Sequence, residues 1–161
     1  MKKLLSTILL IFLCASMSFA QEEIASKRNA SYVEAGGAGL FFSINYERQL
    51  SKTPGFLWRV GLGGYSEDDF YVTYTTGFSY LFDLNEEKGA FLELGANLTI
   101  AREYKGISEE SRNADIFENI VPGLNYRKHF NNDILFKAGI NAIINENGLT
   151  PWLNTGFGIM F

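Results

Sequence analysis

Large apolar side chains alternate with small or polar ones along most of this chain, which is the period-2 pattern of β-strands. Eight such runs are separated by segments rich in turn-forming residues. The runs cover residues 31–37, 40–50, 56–65, 70–82, 90–102, 116–130, 134–144 and 150–161. The pattern therefore predicts an all-β chain of eight antiparallel strands.

The last run shows most clearly what the two faces of such a strand contact. One parity is mostly large and apolar, and it comprises Leu153, Thr155, Phe157, Ile159 and Phe161. The other parity is small, flexible or polar, which is typical of a strand with lipid on one side and a crowded barrel interior on the other. Most runs also reach the roughly nine to eleven residues with which a tilted strand crosses a bilayer. We therefore expect an eight-stranded up-and-down transmembrane β-barrel over residues 31–161.

An even number of strands returns the chain to the side on which it starts, so the turns alternate between the two sides. The long polar segment 103–115 then lies outside the cell, where barrels of this kind keep their long loops. Aromatic residues gather near the inner turns and predict a girdle at that membrane interface, with a thinner outer girdle at Phe70, Tyr74 and Trp152. Pro122 cannot donate a ladder hydrogen bond, so we expect a bulge there or a later start of the sixth strand.

The N-terminal segment reads as a signal peptide over residues 1–20, with two lysines, an apolar run and a small-x-small cleavage site. An uncleaved anchor and a lipoprotein lipidated at Cys14 are the alternatives. Residues 21–30 are predicted to be a flexible lead. Cys14 is the single cysteine, so cleavage would leave no disulfide and no thiolate nucleophile. Cleavage would also increase the excess of 18 acidic over 14 basic residues, which disfavours a nucleic-acid partner.

Six charged residues fall on the polar parity, and they predict a charge network inside the barrel. They are Glu34, Glu47, Arg59, Glu93, Arg127 and Lys137. Hairpin registers would place Glu47 opposite Arg59 and the like charges Arg127 and Lys137 opposite each other, with Glu93 at a similar depth. Because a barrel of eight strands has room only for side chains, we interpret the network as structural filling of the interior. A gated or selective pore is the alternative interpretation.

Candidate chemistry is otherwise sparse. The single histidine, His129, lies beside an inner turn and lacks the serine pattern of outer-membrane acyl hydrolases, so we predict no enzyme and no catalytic residue. No metal-ligand spacing and no cofactor motif is found. The acidic segments 67–69 and 109–110 could hold Ca²⁺, although solvated loop charge is the preferred interpretation.

With these features in place, the chain resembles the small eight-stranded outer-membrane barrels of the OmpA-like and OmpX-like kind, including the compact porin-family barrels of Bacteroidetes. The resemblance implies a monomer in the bacterial outer membrane, in contact with its lipids and lipopolysaccharide. It also implies that Phe161 is a C-terminal signal read by the outer-membrane assembly machinery. Since nothing follows Phe161, we expect no peptidoglycan-binding domain.

The resemblance leaves several functions open. The preferred hypothesis is a non-enzymatic membrane protein that contributes to envelope integrity or surface interaction through its extracellular loops. Transport of small polar or hydrophobic molecules is the first alternative, and a lipid-modifying enzyme is another. A soluble lipocalin-like binding barrel is the last, and it would need the apolar parity inside.

Overall fold

The eight predicted strands form a closed antiparallel barrel in chain order. The computed structural model describes residues 27–51, 54–66, 69–85, 88–104 and 115–161. The strands are β1 Asn29–Gly36, β2 Phe42–Gln49, β3 Phe56–Ser66, β4 Phe70–Asn85, β5 Ala90–Glu103, β6 Ile116–His129, β7 Ile134–Asn145 and β8 Gly148–Met160. The predicted fold class is therefore confirmed.

Two ends of the barrel can be distinguished by the connections they carry. We call the end with the connections after β1, β3, β5 and β7 the outer end, and the other the inner end. The predicted signal peptide lies outside the described residues, as does most of the predicted lead. β1 begins at Asn29 rather than at Ser31, so the last two residues of the predicted lead belong to the barrel. In the part of the chain that the structure describes, no helix is long and apolar enough to cross a membrane.

The first and last strands close the barrel. β1 pairs with β8 from Ala30 opposite Met160 to Gly36 opposite Asn154. At the inner end of this seam, the backbone N–H of Phe161 donates to Asn29 O at 2.8 Å, and that of Asn29 donates to Phe161 O at 3.0 Å. Closure leaves the two terminal strands without the unpaired edge that an open sheet would expose.

Pro122 causes neither of the two irregularities expected of it. β6 continues through this residue, and Pro122 lies opposite Ala96 of β5 in an unbroken register. On the side of β7, the ladder pairs Ile120 with Ile144 and resumes in the same register at Gly123 and Asn141, and the two positions between them are unpaired. The missing N–H thus opens the ladder locally instead of bending the strand, because the regular pairs on both sides hold its register.

The apolar parity faces outward and the polar parity faces inward. Phe78, Leu94 and Ile140 are 59%, 52% and 59% exposed on the exterior, whereas Thr75 and Asn97 are buried inside. Apolar side chains on this scale cannot face water around a whole barrel, so the exterior is the lipid-facing wall of a transmembrane barrel. The lipocalin-like alternative is therefore wrong, because it needs the opposite orientation.

Aromatic residues on the exterior gather at the inner end, as the sequence predicts. Phe56 and Tyr80 are in edge contact with ring centroids 5.0 Å apart, and Tyr80 and Phe82 are 4.8 Å apart. Phe70 and Tyr74 are exposed on the exterior toward the outer end. Trp152 was expected in the outer girdle too, but that expectation is wrong, since Trp152 shares the interior parity of Asn154 and is only partly exposed.

Candidate functional site

The interior is filled in layers, beginning with apolar side chains at the inner end. Leu57, Leu81 and Phe91 form a buried cluster there, from three neighbouring strands. A second cluster joins Ala30 to Tyr32 and Leu135 beside the seam. These residues occupy interior positions of the barrel, so they close its inner end with packed apolar groups.

Above this layer, charged side chains link up across the barrel. Arg59 on β3 pairs with Glu34 on β1, with 2.7 Å between Nη2 and Oε2. Lys137 on β7 continues from there, because its Nζ lies 3.5 Å from Glu34 Oε1 and 3.0 Å from Glu93 Oε1. These contacts join strands that are not neighbours in the sheet, so the side chains bridge the lumen itself.

Arg127 on β6 completes the linkage. Its Nη1 lies 3.0 Å from Glu93 Oε2, and its Nη2 pairs with Glu47 Oε1 on β2. We call the six residues the ion chain, and its signs alternate in the order Arg59, Glu34, Lys137, Glu93, Arg127 and Glu47. None is more than 4% exposed. The structure thus brings together all six charged residues that the sequence places in the interior, and their charges sum to zero.

The predicted registers hold, but residues that lie opposite each other are not ion partners here. Glu47 lies opposite Arg59, and Arg127 lies opposite Lys137. Glu47 nevertheless pairs with Arg127 and Arg59 pairs with Glu34. Long side chains reach across the lumen, so the nearest backbone position does not decide the partner.

Uncharged groups complete the surroundings of the ion chain. The Asn154 side-chain amide donates to Glu34 Oε1 at 3.0 Å, and Arg59 Nη2 donates to Asn45 Oδ1 at 3.1 Å. The ring of Tyr32 lies 5.8 Å from the Arg59 guanidinium carbon and 5.3 Å from Lys137 Nζ. Such partners offset the cost of removing the charges from water. The ion chain is thus surrounded by polar and aromatic partners inside the barrel.

The connection between β1 and β2 forms a plug above the ion chain. Residues Gly37–Gly39 make a 3-10 turn that folds into the barrel, and all three are buried. Gly37 has a φ of 72°, and a Cβ there would lie only 2.6 Å from the carboxyl carbon of Glu34. Only glycine therefore lets the backbone rest on the ion chain at this position.

Hydrogen bonds from the barrel wall hold this plug in place. The hydroxyl of Thr99 donates to Ala38 O at 2.5 Å, and that of Thr73 donates to Gly39 O at 3.0 Å. The indole N–H of Trp152 donates to Leu40 O at 3.0 Å. Strand periodicity does not predict this plug, and the one signal in the sequence is that the connection 36–39 carries no polar side chain.

Five aromatic rings lie above the plug at the outer end, and we call them the aromatic cap. Phe41 is 5.3 Å from Trp152 and 5.2 Å from Tyr65, between ring centroids. Tyr65 stacks on Tyr71 at 5.0 Å, and Tyr71 is 5.9 Å from Phe117. These rings come from interior positions or from the plug connection, so apolar rings lie above the plug at the mouth of the barrel.

Catalytic and metal chemistry finds little support in the described part of the chain. His129 Nε2 accepts a hydrogen bond from Arg127 Nε at 2.8 Å, and its ring packs 4.9 Å from Phe91. Among the described residues, no group of three or more His, Cys, Asp and Glu side chains is placed to hold a metal ion. The acidic segments considered for Ca²⁺ lie outside the described residues, apart from the exposed Asp69.

Two solved structures illustrate the similarity of this fold to known barrels. The N-terminal β-barrel domain of Pseudomonas aeruginosa OprF aligns at a TM-score of 0.59 and 14% identity, over 83% of this chain and 96% of that domain. The Yersinia pestis outer membrane protein Ail, in a phospholipid bilayer nanodisc, aligns at 0.55 and 10%, over 84% of this chain and 100% of Ail.

The chain has the fold of the small outer-membrane β-barrels. The bacterial outer membrane that the sequence predicts is also where the solved barrels of this fold are found. The sequence matches no protein-family model and none of the curated proteins.

Proposed function

We propose that the chain is a non-enzymatic, non-conducting outer-membrane barrel that acts through its outer face, in envelope integrity or in surface interaction. The filled interior is the observation that carries this proposal. Apolar side chains close the inner end, the ion chain crosses the middle and the plug occupies the outer part. Filling at three levels of the described barrel would block an aqueous path for ions, and the surfaces of the barrel would then be the parts that act on other molecules.

The transport alternative is tested by planar-bilayer recordings of the purified full chain. We expect no discrete conductance steps from the wild type, because each level of the filling would have to move before ions could pass. The double variant Gly37→Asp with Glu93→Ala, which disturbs the plug and the ion chain, is the positive control. Noisy openings from this variant would show that inserted barrels can be detected in the bilayer. Regular steps from the wild type would contradict the proposal and favour transport.

The remaining partners follow from the same proposal. The barrel would contact outer-membrane lipids through its exterior and lipopolysaccharide at its outer end, and it would work as a monomer without a nucleic-acid partner. Phe161, which pairs with β1 at the inner end of the seam, would be the residue that the assembly machinery recognises. Its deletion should lower the amount of folded barrel in cells more than it lowers refolding into detergent.

Two finer assignments also remain proposals. Absence of enzymatic activity is supported by the engagement of His129 with Arg127 and Phe91, and lipid A unchanged in an overproducing strain would support it further. The Bacteroidetes-type assignment rests on the sequence resemblance alone. Homologues recovered mainly from another phylum would contradict it.

A further inference from the structure

The aromatic cap is an apolar surface that membrane lipid cannot cover. Tyr65, Tyr71, Phe117 and Trp152 occupy interior positions and are partly exposed, and Phe41 is 56% exposed. Lipid chains reach only the exterior of the wall, so these rings face away from the hydrocarbon. Exposed aromatic groups that pack on one another are typical of protein docking surfaces, where Trp and Tyr contribute much of the binding energy.

Support of the plug explains only part of the cap. Trp152 donates to Leu40 O and therefore has a structural role beneath the surface. Phe41, in contrast, stacks on Tyr65 and contacts Trp152 edge-on, and it still leaves more than half of its surface exposed. A residue that served packing alone would be expected to bury more of its ring.

Charge at the outer end indicates what could dock on the cap. The described charged residues at this end are Asp69, Glu103, Asp115, Glu118 and Glu146, with one base, Arg102. We call these residues the acidic rim, and an acidic rim attracts basic polypeptides and repels acidic ones.

We propose that the aromatic cap and its acidic rim form a docking surface for a basic polypeptide segment outside the cell. Arg and Lys side chains would stack on the exposed rings, while the rim would supply the complementary charge. The interior of this barrel already shows such contacts, since Arg59 and Lys137 lie over the ring of Tyr32. The inference rests on the proposed surface role and narrows it to one class of partner.

Binding of model peptides to the full chain tests this proposal. The barrel is extracted from outer membranes and placed in zwitterionic nanodiscs free of lipopolysaccharide. The probes are a fluorescent peptide of alternating Arg and Ser and a matched peptide of alternating Glu and Ser. We expect saturable binding of the Arg–Ser peptide, weaker at higher salt, and none of the Glu–Ser peptide or of either peptide to empty nanodiscs.

Matched variants separate the cap from the rest of the outer end. Phe41→Ala should weaken binding of the Arg–Ser peptide about tenfold, as expected for an exposed aromatic anchor. Phe70→Ala is the control, because Phe70 is 49% exposed at the same end but lies on the exterior. It should bind within about twofold of the wild type. Asp69→Asn combined with Asp115→Asn should weaken binding several-fold and reduce its salt dependence.

A second measurement needs no variant of the cap. The chain has two tryptophans, so Trp58→Phe leaves Trp152 as the single indole. Saturation with the Arg–Ser peptide should then shift or quench the emission of Trp152. An unchanged emission spectrum at saturation would show that the peptide binds elsewhere and would overturn the proposal.

The other outcomes distinguish this inference from the proposed function. Absence of Arg–Ser binding would overturn the inference and leave the non-conducting barrel to be judged by its bilayer recordings. Equal weakening by Phe41→Ala and Phe70→Ala would overturn it as well. If lipopolysaccharide or the Glu–Ser peptide bound in a way that depended on Phe41, the proposal of a basic partner would be overturned. The proposed surface role would still be supported.

Discussion

Arg127 and Lys137 are direct cross-strand partners of like charge, and each donates to a different oxygen of Glu93 at 3.0 Å. Like charges at opposite positions repel each other. Glu93 extends from β5 to both cations, so its one carboxylate offsets the repulsion between Arg127 on β6 and Lys137 on β7. The stability of the barrel should therefore depend strongly on this one side chain.

We expect Glu93→Gln to lower the free energy of unfolding by about 3–5 kcal/mol, because it leaves two buried cations short of one negative charge. Urea titration of the detergent-folded barrel, followed by heat-modifiable gel migration, measures this. Glu118→Gln is the control, since Glu118 is an exposed carboxylate on β6. Equal urea midpoints for the two variants would contradict the structural role of the ion chain.

We expect Gly37→Ala to destabilise the barrel by about 1–3 kcal/mol from backbone strain alone, and by more because its Cβ would meet the Glu34 carboxylate. Gly148→Ala is a comparison in which backbone strain acts alone, since Gly148 has a positive φ, of 121°, and nothing within 4 Å of an added Cβ. The urea midpoint should fall for Gly37→Ala. An unchanged midpoint for Gly37→Ala would show that the plug does not contact the ion chain as described.

We expect a cysteine at position 38 to resist a membrane-impermeant maleimide, because Ala38 is fully buried in the plug. Cysteine at position 41 should react quickly in the same cells. Adding Thr99→Val to Ala38→Cys should raise its labelling rate, since this change removes the hydroxyl that bonds to Ala38 O. Rapid labelling of Ala38→Cys without the second change would mean that the plug leaves the lumen readily.

We expect Leu98→Arg to reduce folding into lipid vesicles, because a charge on the lipid-facing side costs about 2–4 kcal/mol near the bilayer midplane. Leu98 is 46% exposed on the exterior of β5. Tyr104→Arg is the control, because Tyr104 directly follows β5 at the outer end of the barrel, away from the bilayer midplane. This variant should fold normally. Gel migration reports the folded fraction, and equal folding would mean that the exterior is not embedded as described.

Much of the fold could be predicted because strand periodicity is local. Alternation fixes which side chains face inward, and short connections fix the register, so the positions of Glu47 opposite Arg59 followed directly. The pairing of Arg59 with Glu34 and of Arg127 with Glu47 did not follow. It depends on how far flexible side chains reach across the lumen, which no pattern along a single strand describes.

The arrangement at the outer end of the barrel also could not be predicted fully from the pattern along single strands. The position of Trp152 near the outer end of its strand predicts a place in the girdle. Trp152 nevertheless faces the interior, because it shares the side of the strand that carries Asn154. Strand periodicity alone does not predict the plug, because the plug also depends on the space that small interior residues leave. At Gly61 and Gly63, for example, an added Cβ would collide with neighbouring interior side chains. Such volume is a property of the closed barrel rather than of any strand.

The electrical neutrality of the ion chain has an evolutionary consequence. Its six members lie on six different strands, so a mutation at one of them disturbs a partner far away in the sequence. Descendant proteins should therefore exchange these charges in compensating pairs or lose them as a set. Correlated substitution at the six positions would distinguish homologues of this protein from proteins that share only the barrel fold.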